Sequence, residues 1–382
     1  MFLLLYPILI KPENGFAKCF LIFHLAYSPY FYNVFFLQEI ISTFRPLDPK
    51  SEIILSLIVP VYNRATEVEE LLASLIDQVD KDFEMIIIED GSSQRCETIA
   101  EKYKSILRIR YHYKSNSGPG LSRNEGCRIA KGNYFIFLDS DCVIPPEYIG
   151  EVKKNLTECY SDAFGGPDKA HHDFSRLQKA INYSMTSFLT TGGIRGGSEK
   201  MDKFYPRSFN MGYARYVFEA TGGFSNLRFG EDIDMSLRIM KQGFSTCLYK
   251  TAWVYHKRRT SLKLFYKQVY NSGIARINLY RRYPVSLKLV HLLPLAFVFF
   301  VLASALLSAF ISVYFILPLL GWIFLIFIDS TIRNGHLVIG LLSVITSFIQ
   351  VGGYGLGFFK AVWKRIILGH DEFSAFKENF YT

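Results

Sequence analysis

The chain has no Cys-x-x-Cys pair, and none of its six cysteines stands at a metal-type spacing from a histidine. Cys19, Cys96, Cys127, Cys142, Cys159 and Cys247 therefore read as reduced thiols of a cytoplasmic domain, which excludes a disulfide framework. Charge is scarce from Leu287 to Phe359, chiefly Asp329 and Arg333, whereas Ser51 to Arg282 is an ordinary soluble mixture. One soluble region and one membrane region thus share the chain. The N-terminus lacks the leading basic residues and the small-residue cleavage site of a secretory signal. Met1 to Ile10 is apolar, and Phe16 to Ile41 is aromatic-rich with Pro29 in its middle. Residues 1–50 therefore read as an N-terminal hydrophobic segment, either an interfacial helix or an imperfect span.

Forty-three Lys and Arg against thirty-four Asp and Glu leave a formal charge of +9. The excess clusters before the first long apolar run, at Lys257, Arg258, Arg259, Lys263, Lys267, Arg276, Arg281, Arg282 and Lys288. That juxtamembrane position favours acidic lipid headgroups, at roughly 1 kcal/mol per cation, and argues against nucleic acid. Three apolar stretches follow: Leu287 to Phe310, Val313 to Ile328, which is short for a crossing, and Leu337 to Phe359. The cations before Leu287 and those after Phe359 (Lys360, Lys364, Arg365) both prefer the cytoplasm, yet three crossings put them on opposite sides. An even count, with one segment re-entrant or lying in the interface, removes the conflict. The expected organisation is a soluble domain over 51–282 and a membrane region with a basic tail over 283–382. Such a chain is a multi-pass protein of the cell (inner) membrane with its soluble domain in the cytoplasm.

Within the soluble region short apolar runs alternate with amphipathic stretches. Ser56 to Tyr62, Met85 to Ile88, Arg108 to Tyr113 and Tyr134 to Leu138 read as strands. Helices are expected over Val68 to Ile76, Cys96 to Lys104 and from Gly120 to Ala130, with Gly132 as a stop signal. Strict strand–helix succession implies an α/β fold with a parallel sheet covered on both faces. Ligands of such sheets bind outside the carboxyl ends of the strands. There the chain places Asn63 and Arg64, then Glu89, Asp90 and Gly91, then Asp139, Ser140 and Asp141. Taken singly, Asp90 and Asp139 are equally compatible with capping the turns that follow them.

Asp139-Ser140-Asp141 sets two carboxylates two residues apart after an apolar strand, and hard cations such as Mg²⁺ or Mn²⁺ prefer such oxygen ligands. A diphosphate leaving group needs that cation, because negative charge develops on it as the bond to a sugar breaks. Four segments then form a pattern in fixed order: Val59-Pro60-Val61-Tyr62-Asn63-Arg64, Ile88-Glu89-Asp90-Gly91-Ser92-Ser93, Gly118-Pro119-Gly120-Leu121-Ser122-Arg123-Asn124 and Phe137-Leu138-Asp139-Ser140-Asp141. From Ser56 to Arg282 the chain closely resembles family 2 glycosyltransferases. The resemblance implies a GT-A fold, a Rossmann-like, mostly parallel sheet, together with an inverting reaction and a divalent metal. It also implies that Asp90 contacts the nucleoside, Asp139 the ribose or metal region, and Asp141 the metal. Pro60, Tyr62, Asn63 and Arg64 then lie against the nucleotide, with Gly120 and Arg123 of the third segment completing the donor-binding set.

An acceptor hydroxyl attacks an anomeric carbon poorly unless its proton is removed. Phe229-Gly230-Glu231-Asp232-Ile233-Asp234 precedes a helix with Ile233, Leu237 and Met240 at apolar spacing, and it looks like the family's Glu-Asp motif. By that likeness Asp232 is the base and Glu231 lies beside it; the plain alternative is an acidic helix N-terminus complementing the helix dipole. Asn210-Met211-Gly212 and Gly222-Gly223-Phe224 look like the family's acceptor-side segment, or else a pair of turns. His256, after Trp253-Val254-Tyr255, is a third candidate ligand for the metal. The Gln-x-x-Arg-Trp motif of processive members is absent: Gln268-Val269-Tyr270-Asn271-Ser272 has neither its Arg nor its Trp.

The reading is a transferase that uses a nucleoside diphosphate sugar and a membrane-held glycan or lipid-linked acceptor. Transfer to a polyprenyl phosphate is the alternative within catalysis, although a retained Glu231-Asp232 pair favours a hydroxyl acceptor. A catalytically idle membrane protein that binds nucleotide sugars would have lost acids at the strand ends, and none is lost. A transporter would place ionisable groups within the apolar segments, where few stand.

Overall fold

The structure, a computed structural model, describes residues 52–171, 173–192 and 205–375. The N-terminal hydrophobic segment over 1–50, with Cys19, lies outside them.

The expected alternation is present. β1 (Leu55–Val61), β2 (Phe83–Asp90), β3 (Ile109–Lys114) and β4 (Tyr134–Leu138) are joined by α1 (Ala65–Ile76), α2 (Glu97–Tyr103) and α3 (Pro119–Ile129). Leu57, Ile58 and Val59 of β1, Ile86, Ile87 and Ile88 of β2, and Phe135, Ile136 and Phe137 of β4 have no exposed surface. Strands buried on both faces read as continuous apolar runs, which explains this sequence pattern. Beyond β4 come β5 (Cys142–Val143), α4 (Tyr148–Glu158), β6 (Ala163–Gly165), β7 (Asp168–Lys169), α5 (Arg176–Thr186) and α6 (Phe188–Thr191). After them follow β8 (Asn210–Ala214), α7 (Arg215–Thr221), α8 (Glu231–Lys241), β9 (Thr246–Leu248) and β10 (Val254–His256).

The main sheet has seven strands in the order β3-β2-β1-β4-β8-β6-β9. It is mostly parallel but not wholly so, because β8 runs antiparallel to both β4 and β6. Asn210 to Gly212, likened to an acceptor-side segment or a turn, forms part of the interior strand β8. The Asn210 side chain takes a hydrogen bond from Tyr148 Oη at 2.7 Å and donates to Ala252 O at 2.8 Å.

α3 departs from ordinary amphipathic packing: its buried residues are Gly120, Ser122, Arg123, Asn124, Gly126 and Cys127. Gly126 lies flush against Ile58, where a Cβ would collide with the Ile58 side chain. The close seat carries the polar side of α3 under the strand ends.

A second, three-stranded sheet runs β5-β10-β7. Next, α9 (Leu262–Arg282) leads to α10 (Leu293–Phe310), α11 (Leu317–Asn334) and α12 (Leu337–Ala361). Leu289–Phe310, Val313–Asn334 and Leu337–Ile367 are each long and apolar enough to cross a membrane. The second is longer than its apolar run because the helix continues through Asp329 and Arg333 to Asn334.

Candidate active site

Asp139 and Asp141 emerge where β4 ends, and His256 closes β10. The antiparallel register pairs His256 with Cys142, which brings the imidazole back over the Asp139-Ser140-Asp141 turn. His256 Nε2 stands 3.2 Å from Asp141 Oδ1 and 3.8 Å from Asp139 Oδ2. Its ring stacks on Phe209 at 4.9 Å, and Nδ1 is buried with no hydrogen-bond partner among the described residues. Arg64, from the turn after β1, reaches Asp141 Oδ2 at 3.2 Å. Burial works to raise the Asp141 carboxyl, but the His256 and Arg64 charges outweigh it and hold the group well below the usual carboxylate range.

Two carboxylates and an imidazole are a suitable set for a hard or borderline divalent ion. Cys142 Sγ also lies near Asp141 and His256. Burial, first, and the neighbouring acids push its thiol well above the ordinary range, and the sulfur contacts Phe209 O at 3.6 Å. A thiol kept protonated is a poor ligand, so Asp139 completes the set better.

Opposite these groups, Gly230, with φ +80°, opens α8, whose first two residues are Glu231 and Asp232. Arg123 ties the halves together. Its Nη2 donates to Asp139 Oδ1 at 2.7 Å and its Nη1 to Glu231 Oε1 at 3.1 Å, while the side chain is 3% exposed. Burial disfavours the guanidinium charge, yet Asp139 and Glu231 more than offset that and raise its pKa. Burial, followed by the Asp232 charge, pushes the Glu231 carboxyl up to about 7. Asp232 points elsewhere: Oδ2 accepts from Arg207 Nε at 2.7 Å, and Oδ1 from Ile233 N at 2.8 Å.

The remaining expected residues divide. Pro60 and Tyr62 are half-buried around the end of β1. Asn63, at φ 51°, is held in the positive-φ region by its own contacts. Its amide donates to Ser92 Oγ at 2.7 Å, and its Oδ1 accepts from Ser93 N at 2.8 Å and Gln94 N at 3.2 Å. Asp90 is almost wholly buried; its carboxylate accepts from Ser117 N and Gly118 N, both at 2.8 Å, and pairs with Lys114. Gly120 faces protein, where a Cβ would stand 3.1 Å from Ser225 O. Asn63, Asp90, Gly120 and Arg123 thus shape the loops of the site, whereas Arg64, Asp139, Asp141 and His256 form one cluster and Glu231 and Asp232 another. Arg207 and Lys114, which neutralise Asp232 and Asp90, were not singled out from the sequence. Neither sits in a recognisable segment, and only the tertiary fold pairs them.

Residues 56–222 match the sequence model of Glycosyl transferase family 2, and this segment is a domain of that family. A putative glycosyltransferase of Bacillus subtilis, EpsH, is 30% identical over 233 residues, covering 58% of this chain and 66% of that protein. An uncharacterised glycosyltransferase of Rickettsia conorii is 42% identical over 140 residues, 37% of this chain, and the match spans only 22% of that longer protein. Among solved structures, a mannosyltransferase from Pyrobaculum calidifontis in complex with GDP-mannose and Mn²⁺ aligns with 90% of this chain and 98% of its own. At 14% identity and a TM-score of 0.56, this likeness is one of fold. The fold is GT-A, as the resemblance implied.

Proposed function

We propose that the chain is an inverting, metal-dependent glycosyltransferase that moves a sugar from a nucleoside diphosphate sugar to a hydroxyl of a membrane-associated glycan or lipid-linked acceptor. One observation carries this reading: Arg123 joins the Asp139-Asp141-His256 cluster at the sheet end to the Glu231-Asp232 pair at the start of α8. A donor's diphosphate and an acceptor's hydroxyl thereby meet two acidic groups held at a fixed separation.

Asp139, Asp141 and His256 would hold Mg²⁺ or Mn²⁺, and the ion would supply charge neutralisation for the departing diphosphate. The solved mannosyltransferase of like fold, with its GDP-mannose and Mn²⁺, supports both the donor class and the cation. Arg64 adds a fixed positive charge beside Asp141. Asp232 takes the acceptor proton. Its two carboxylate oxygens are aimed by Arg207 and the Ile233 amide, whereas Glu231 is engaged inward with Arg123. Attack from the Asp232 side, opposite the diphosphate, inverts the anomeric centre. The domain works at the cytoplasmic face of the inner membrane, where nucleotide sugars and a membrane-held acceptor both occur.

The test is to incubate membranes bearing the chain with a panel of labelled nucleotide sugars, with and without Mn²⁺, and to extract lipid and glycan products. Label should pass from one donor and only with the cation. Donor binding without transfer from any sugar would contradict the reading, and transfer indifferent to chelation would remove its metal-dependent part.

A further inference from the structure

The turn that joins α9 to α10 is seated on a helix pair. Phe358 and Ala361 of α12 pack on Ile274 and Ile277 of α9, and Leu287 and Leu295, one on each side of the turn, pack on the same cluster. Elsewhere along the pair, Ile349 packs on Phe265 and Val269. Glycines let the backbones approach: a Cβ at Gly273 would strike Tyr354 O, and one at Gly357 would strike Tyr270 O. A Cβ at Gly355 would strike Pro294 O, so the start of α10 is held as closely. Residues 288–294 are thereby fixed against α9 and α12.

Cations meet at this turn without acids. The charges of Arg276 and Lys288 both act on the His291 ring. Arg276 Nε is buried with no hydrogen-bond partner among the described residues. No carboxylate among those residues pairs with Arg276, Lys288 or His291, whereas Arg282, farther along α9, pairs with Glu372 at 2.9 Å. His291 Nδ1 accepts from Lys288 N at 2.9 Å, which leaves Nε2 to carry the ring proton. A guanidinium partly withdrawn from water and facing a second cation is costly unless an anion reaches it from outside the chain. Two cationic groups and one N–H donor suit the several acceptor oxygens of a phosphate.

The surroundings say what carries that phosphate. Val285 is 94% exposed and Leu289 84%, so the turn presents large apolar side chains in the open beside its unpaired cations. Leu289 also opens the first segment apolar enough to cross a membrane. Apolar side chains next to cations match the boundary of a lipid leaflet, where acyl chain and phosphate adjoin. We infer that Arg276, Lys288 and His291 form a site for the phosphate of a membrane lipid at the turn between α9 and α10. The site lies close to the start of α8. Ala275, next to Arg276, and Leu279 face Gly230, where a Cβ would stand 3.7 Å from Ala275 Cβ and 3.2 Å from Leu279 Cδ1. The inference rests on unpaired charge and stands apart from the transfer reaction.

Thermal unfolding of the full chain in a neutral detergent tests it. Dioleoyl phosphatidic acid should raise the midpoint of the parent, and dioleoylglycerol, which lacks only the phosphate, should not. Arg276→Gln and Lys288→Gln should each weaken phosphatidic acid binding, titrated through that shift, by about tenfold or more, the scale of one charge-assisted hydrogen bond. Lys288 is exposed, so its variant keeps the fold even where Arg276→Gln does not. Arg281→Gln, an exposed cation outside the cluster, should change binding little. Equal losses from Arg281→Gln and Lys288→Gln would reduce the site to diffuse charge and overturn the inference, as would an equal shift with dioleoylglycerol. Inorganic phosphate that binds as tightly as the lipid would overturn the assignment to a lipid.

Discussion

Arg123 Nη1 stands 3.1 Å from Glu231 Oε1, a buried pair that joins residues 108 positions apart. Removing one partner of a buried pair leaves an uncompensated charge, at a cost of about 3–5 kcal/mol. Arg123→Met strands both Asp139 and Glu231, so it should lower the unfolding midpoint strongly. Arg123→Met combined with Glu231→Gln should recover part of that loss. Thermal unfolding in detergent would show it, and equal midpoints for Arg123→Met and the parent would contradict the bridge.

Stability should depend on pH through Glu231. Its carboxyl is raised to about 7 in the folded chain from an ordinary 4.5. A raised pKa contributes stability that is full below pH 4.5 and lost as pH rises through about 7. Glu231→Gln cannot ionise and escapes that loss. Whatever fixed cost the lost Arg123 contact adds, the variant should gain stability relative to the parent as pH rises from 5 to 8, whereas a relative gain toward low pH would reverse the assignment.

Much of this was legible in the sequence. The apolar runs of β1, β2 and β4 and the polar residues at their ends marked the sheet and its ligand-binding edge, since doubly covered strands leave a continuous hydrophobic signal. Short strands leave none. β5 and β10 have two and three residues, so the approach of His256 to Asp141 came only from their register. Asp90, Asn63 and Arg123 stood at sites of recognisable chemistry, but their partners are backbone amides and side chains supplied by other segments. α12 was legible as an apolar stretch. Its seat on α9 was not, because burial in protein and burial in lipid select the same residues.

That seat bears on where the soluble domain ends. A chain stopped at Arg282 would uncover Phe265, Val269, Ile274 and Ile277, each at most 3% exposed in the full chain. At about 1.5–3 kcal/mol for each such side chain, their exposure approaches the whole stability of a domain. The truncated chain should aggregate. A monodisperse, cooperatively unfolding product on gel filtration and calorimetry would show instead that residues 283–382 only anchor it.

Asp141→Asn removes the carboxylate that faces both His256 and Arg64. Turnover should fall by about a hundredfold or more, the scale of deleting one electrostatic contact to a leaving group. The unfolding midpoint should fall as well, because the carboxylate paired with His256 and Arg64 also contributes stability, so turnover is compared at a temperature where both chains are folded. Unaltered turnover, with the same response to added Mn²⁺, would remove Asp141 from the site.

Asp232 decides between a chain that transfers a sugar and one that only binds the donor. A base acts on the acceptor as the new bond forms, so Asp232→Asn should leave affinity for the nucleoside diphosphate and Mn²⁺ nearly unchanged. Transfer should drop by about a hundredfold to ten-thousandfold, the contribution of a positioned general base. Glu231→Gln, engaged inward with Arg123, should lose less. The decisive measurement is calorimetric donor binding run beside a product assay on the same preparations of parent, Asp232→Asn and Glu231→Gln. Unchanged binding with collapsed transfer in Asp232→Asn is the predicted result, and full transfer by that variant would contradict it.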